Sequence, residues 1–184
     1  IHATAIAKLE EQKWGSFGCE IVVESTGRFT DATQAKIHIE KGGATLDPEK
    51  GADALEAYAR TGFDTFDMAD HYGSAEIIAG RLLSRFKGDA ARPLAFTKWC
   101  PEPGPMTAEV VRRGVQERLD RLGVERVDLL QFHWWTFEHP AWLDALHEMK
   151  RLMDEGRIGA LGVTNFDAAH LRLAIADGIP IATN

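Results

Sequence analysis

From residue 44 onward, short apolar runs of strand character alternate with longer stretches in which apolar positions recur every three or four residues. The runs are Phe63–Asp67, Leu94–Lys98, Val127–His133, Ala160–Asn165 and Pro180–Asn184, each bounded by turns or helix ends. Val111, Val115, Leu119 and Leu122 form one helical stripe, and Trp142, Leu146, Met149 and Met153 form another. Both stripes read as the core-facing sides of helices that cover a sheet. Asp47-Pro48 opens a helix that Gly62 closes, Ser74 opens a second, and Pro140 and Gly156 bracket a further one. Parallel neighbours need crossover connections, so this alternation predicts a parallel sheet covered by helices, an α/β fold.

The predicted strands end in chemically capable residues: Asp67, Lys98, His133 and Thr164-Asn165, with Tyr72 five residues beyond Asp67. In a (β/α) barrel the carboxyl ends of all strands converge on one face, which would bring these side chains into one pocket. Such a set suits acid–base chemistry on a carbonyl. Tyrosine, with a reference pKa near ~10, is a poor acid at neutral pH, but a neighbouring ammonium favours the phenolate. Lys98 would supply that charge, Asp67 would keep it oriented, and His133 would donate a hydrogen bond to the carbonyl oxygen. Asn165 would offer its amide to a carboxamide such as that of nicotinamide. Taken singly, each of these residues is equally a turn former or helix cap. Asp70 and Ser74 read as local turn and cap residues, His71 has no evident partner, and His139 and His147 face solvent. Trp134-Trp135 place an aromatic wall beside His133. Trp99 and Trp134 read as walls of an apolar substrate pocket, with burial in the core as the alternative.

Composition narrows the classes further. The 184 residues are 45% apolar and 27% charged with a net charge of −7, the profile of a soluble globular protein rather than a disordered, collagenous or membrane-spanning chain. An acidic balance speaks against electrostatic capture of nucleic acid or an anionic membrane surface. The two cysteines, Cys19 and Cys100, are too few for a disulfide framework and lack metal-ligand spacing, so no metal and a reducing cytoplasm are expected. Ile1-His2-Ala3-Thr4 has no charged start followed by an apolar stretch, so no signal peptide is expected, and a processed or fragmentary start is the alternative.

Four motifs point to a family. Phe66-Asp67-Met68-Ala69-Asp70-His71-Tyr72-Gly73, Phe96-Thr97-Lys98-Trp99, Leu130-Gln131-Phe132-His133-Trp134 and Gly162-Val163-Thr164-Asn165-Phe166 resemble the signatures of the aldo-keto reductases. The resemblance implies a (β/α) TIM-type barrel and a tetrad of Asp67, Tyr72, Lys98 and His133. It implies NADPH as hydride donor, with NADH as the alternative, and a small aldehyde or ketone as substrate. Tyr72 would be the proton donor, and Thr164 and Asn165 would hold the nicotinamide amide. Met68 and Thr164 stand where the family more often has Thr and Ser. A closed barrel of this kind takes about 250 residues, so residues 44–184 are expected to form a partial barrel. Its open sheet edges would favour self-association.

Residues 1–43 resemble something else. Trp14-Gly15 and the stretch from Val22 to Thr30 are similar to the NAD-binding region of glyceraldehyde-3-phosphate dehydrogenase, without its Gly-rich phosphate loop or its catalytic cysteine segment. Glu20 to Ser25 reads as a strand and Asp31 to Glu40 as a helix ended by Gly42-Gly43, one Rossmann-like unit ahead of the partial barrel. The leading functional expectation is a cytoplasmic NAD(P)H-dependent oxidoreductase. A catalytically silent binding or regulatory barrel is the alternative, and a dehydrogenase of phosphorylated aldehydes is the third.

Overall fold

In the computed structural model, which describes residues 47–184, the first helix starts where its sequence predicts. Helix α1 (Pro48–Ala59) is opened by Asp47, whose Oδ1 accepts the Glu49 N–H at 2.8 Å, with Pro48 where a missing N–H costs nothing. Gly62, at φ 103°, turns the chain out of it. The strand-helix unit expected within residues 1–43 lies outside the described residues.

Four strands follow: β1 (Thr65–Asp67), β2 (Leu94–Trp99), β3 (Val127–His133) and β4 (Ile158–Thr164). They pair in parallel in the order β1-β2-β3-β4. Helices α2 (Ala75–Arg85), α3 (Ala108–Leu122) and α4 (Trp142–Asp154) make the crossovers, and α5 (Ala168–Ala176) follows β4. The α/β class and the alternation of parallel strands with helices are as the periodicity predicts. Among the described residues, no helix is long and apolar enough to cross a membrane.

The strand bounds need correction. Phe63 is an exposed turn residue whose ring meets Tyr58 edge-on at 5.6 Å, so β1 begins two positions later than predicted. β4 starts earlier, at Ile158, and stops before Asn165, whose φ of 61° leaves the extended region. Pro180–Asn184 forms no named strand. It does lie parallel to β4 through a bridge between Leu161 and Ile181 and hydrogen bonds from Ala182 N to Leu161 O (2.7 Å) and Val163 N to Thr183 O (2.9 Å).

Because side chains alternate across a strand, each strand has a helix-facing and a site-facing set. Trp99 of β2 and Phe132 of β3 are register partners and both are buried, as are Leu161 and Val163 of β4. They join one core with Val111, Val115, Leu119 and Leu122 of α3 and with Trp142, Leu146 and Met149 of α4. Met153, expected in the stripe of α4, is only partly buried, and Leu152 fills that place. Helix α3 is capped by Thr107, whose side chain accepts the Val110 N–H, and is ended by Gly123 at φ 63°. It lies so close to β2 that a Cβ on Gly114 would overlap the Trp99 indole.

Gly114→Ala should therefore destabilise the fold by about 1–3 kcal/mol, because a rigid buried indole has to shift. Urea unfolding followed by circular dichroism reads this as a lower midpoint at unchanged slope. A midpoint equal to wild type would show that α3 is not pressed against Trp99.

Candidate active site

The residues one position before or after the core set point to the opposite face. Lys98 precedes Trp99, and its Nζ donates to Asp67 Oδ2 at 2.5 Å and to the Met68 carbonyl at 3.1 Å. Lys98 pairs in register with Gln131, whose Nε2 donates to the other Asp67 oxygen, Oδ1, at 3.1 Å. Asp67 thus holds a cation and an amide at once. Gln131 was not among the residues the sequence singled out; its signal was its place two residues before His133, hence on the same side of β3.

His133 ends β3 opposite Thr164 of β4, and its ring lies 4.2 Å from that of Trp135. Burial, reinforced by His71 and Lys98 and opposed by Asp70, holds its imidazole below the ordinary histidine value. At neutral pH the ring is therefore uncharged, with one N–H to donate and one nitrogen to accept.

Tyr72 lies on the loop between β1 and α2. Its side chain is 53% exposed, its ring meets His71 edge-on at 4.8 Å, and its hydroxyl makes no hydrogen bond among the described residues. The loop around it is well tied. Asp70 N donates to the Lys98 carbonyl at 3.0 Å, and Asp70 Oδ2 accepts the Cys100 N–H at 2.8 Å. His71, which had no evident partner in the sequence, lies with Nδ1 3.0 Å from Asp70 Oδ1. Asp70 is thus more than a local turn former. Ser74 precedes α2 but its side chain makes no cap hydrogen bond. His147, expected in solvent, is partly buried and meets Asp177 at 2.6 Å.

Asp70, His71 and Cys100 bring three metal-ligating atoms within 4.8 Å of one another. The Asp70 carboxylate, however, already faces the Arg118 guanidinium at 3.5 Å, which a cation would have to displace. Burial and the Asp70 charge push the Cys100 thiol up to about 12. It is protonated at neutral pH and is no candidate nucleophile.

Thr164 and Asn165 close the site at β4. The Thr164 hydroxyl is buried without a hydrogen-bond partner, one of two such side-chain atoms among the described residues. A buried hydroxyl left unpaired is costly, and a carboxamide would satisfy it. Asn165 is the described non-glycine residue with positive φ, a conformation that asparagine tolerates better than most. The backbone after it is gripped by Asn184, whose amide accepts from Phe166 N (3.0 Å) and donates to Phe166 O (2.9 Å). Nothing in the local sequence around Asn165 pointed to so distant a clamp. An unpaired hydroxyl beside an exposed amide fits the carboxamide of a nicotinamide.

Trp99 and Trp134 do not line this site. Both belong to the buried core: Trp99 packs on Gly114, and Trp134 stacks on Phe132 at 5.5 Å while its Nε1 donates to the His139 carbonyl at 3.0 Å. The reason is the pleat, which turns the neighbours of Lys98 and His133 to the other face. The aromatic wall beside His133 is Trp135, which is exposed.

The model of the Aldo/keto reductase family matches residues 36–184, beginning inside the stretch expected to be dehydrogenase-like. A curated aldo-keto reductase of Mycobacterium sp. (strain JLS) is 33% identical over 139 residues, covering 74% of this chain and 49% of that protein. The NADH-specific methylglyoxal reductase of Escherichia coli (strain K12) is 28% identical over 141 residues, covering 64% of this chain and 41% of that protein. An aldo-keto reductase crystallised with NADPH shares the fold, with a TM-score of 0.62 at 22% identity over 76% of this chain and 45% of its own. The chain spans about half the length of the curated relatives it matches.

His133 should titrate below the ordinary imidazole value of about 6.5, and its midpoint should rise in Lys98→Met, which removes a repelling charge. Proton-detected NMR of the imidazole resonances measures both. The unfolded chain takes up this proton first, so His133 makes the fold less stable as pH falls from that ordinary value through the folded midpoint. A midpoint at or above the ordinary value would contradict the burial assigned to the ring. Cys100 should resist iodoacetamide at neutral pH in the folded chain and react on unfolding, as mass spectrometry would record; rapid labelling of the folded chain would contradict its protonated state.

Proposed function

The chain belongs to the aldo/keto reductase family, and from that membership we propose that its site reduces an aldehyde or ketone to the alcohol, with NADPH as hydride source and Tyr72 as proton donor. The observation that carries this reading is the Asp67 carboxylate shared between Lys98 and Gln131, on the sheet face that also presents His133. The chemistry a reduced nicotinamide supplies when bound is transfer of hydride to the carbonyl carbon.

This chain's residues do the rest. Tyr72 gives the carbonyl oxygen its proton as negative charge develops there. Asp67 keeps Lys98 aimed, and Gln131 occupies the second Asp67 oxygen so that the first stays turned to Lys98. His133, neutral, donates its N–H to the same carbonyl oxygen and fixes its direction. The Thr164 hydroxyl and the Asn165 amide hold the carboxamide of the cofactor. Trp135 beside His133 favours an apolar or aromatic carbonyl.

Tyr72→Phe should lower turnover by about 100-fold or more, the usual scale of a lost general acid, and leave the dissociation constant of NADPH unchanged by calorimetry. Asn165→Gly, which keeps the left-handed turn and removes only the amide, should weaken NADPH binding with little change in the midpoint of unfolding. Retained carbonyl reduction in Tyr72→Phe would overturn the assigned donor. Running the same titration with NADH decides between the two dinucleotides.

A further inference from the structure

Tyr72 has little holding it by its own side chain: it is half-exposed and its hydroxyl is unbonded among the described residues. Its position must be set through the loop, which β2 ties at Asp70 and which α2 and α3 grip from the other side. Glu76, at the start of α2, is fully buried. Its carboxylate accepts from Thr97 Oγ1 of β2 at 2.7 Å and from Arg121 Nε of α3 at 2.6 Å, and Arg118 Nε lies 3.1 Å from it. Arg118 reaches on to Asp70, two residues before Tyr72. Arg121 reaches on to the carbonyl of Gly73, the residue after Tyr72, at 2.5 Å. A separate observation fixes the two helices against each other: a Cβ on Gly80 of α2 would stand 2.7 Å from the Leu122 carbonyl of α3.

We propose that Arg121, acting through Gly73 and Glu76 together with Arg118, is a positioning residue that sets where Tyr72 stands. Arginine suits the task because its planar fork offers several donors in fixed directions, so one side chain can grip a carboxylate and a carbonyl at once. Lysine's three donors share one nitrogen on a flexible stem, so it would grip the same two acceptors in a less fixed geometry. The buried cluster lies on the helix side of the sheet, away from the face that carries Lys98, so it touches neither substrate nor cofactor in the reading above. The inference rests on that reading for its catalytic consequence, since Tyr72 matters to turnover only if it is the donor.

The chain has two tyrosines, Tyr58 and Tyr72, so fluorotyrosine labelling gives two fluorine resonances, identified by Tyr58→Phe. In Arg121→Met the Tyr72 resonance should shift and broaden while that of Tyr58, on α1, stays in place. Turnover should fall by about tenfold or more with KM changed less than about twofold, since a displaced donor costs reactivity rather than binding. Arg121→Lys should fall between. Arg121 is partly exposed, which favours folding of the variant; Glu76→Gln, which can keep the Thr97 contact, is the second variant and should move the same resonance. An unmoved Tyr72 resonance in both variants overturns the proposal, as does an equal shift of both tyrosines. The fluorine spectra decide positioning without any turnover, whereas Tyr72→Phe decides whether Tyr72 is the donor, so the two ideas fail separately.

Discussion

The pleat of β2 is the constraint on which the rest of this structure depends. Thr97 and Trp99 turn toward the helices, so Lys98 must turn the other way, toward Asp67. Burying a large aromatic side chain contributes about 1.5–3 kcal/mol. A slip of one residue would expose the indole and drive the Lys98 ammonium into the core, where an unpaired charge is far more costly than any hydrogen bond regains. The packing of Trp99 on Gly114 therefore fixes a charge pair on the far side of the strand.

Two carboxylates divide the work of structure and site. Asp67 keeps about half of its side chain in water, and pairs of that kind add little to stability. Its bonds to Lys98 and Gln131 make sense as orientation. Glu76 is wholly buried between two arginines and a threonine, where removing a partner would strand a charge. One carboxylate is half in water and orients a cation and an amide, the other is sealed among arginines, and they sit on opposite faces of the same sheet.

Most of the fold was legible because periodicity is a local property. β3 has its predicted bounds, and the α3 stripe of Val111, Val115, Leu119 and Leu122 is buried throughout. Asp67 and His133 end their strands as read, whereas β2 runs one residue past Lys98 to Trp99 and β4 stops one short of Asn165. What escaped was long-range. The grip of Asn184 on Phe166 and the reach of Arg121 to Gly73 join segments far apart in sequence, and no spacing rule signals them. Trp99 and Trp134 are buried, and the reason is local. Core burial was the alternative their aromatic character left open, and adjacency to Lys98 and His133 along a strand means the opposite face, an alternation that also marks Gln131.

That opposition of faces also divides the protein's light emission. Of the described tryptophans, Trp99, Trp134 and Trp142 are sealed in the core, whereas Trp135 stands exposed beside His133. The buried indoles emit from an apolar environment that a water-soluble quencher reaches only when the core opens, and Trp135 emits from water at the site itself. The described tryptophans thus form two optical channels, one reporting the integrity of the packed sheet and the other the surroundings of His133 at the exposed end of β3.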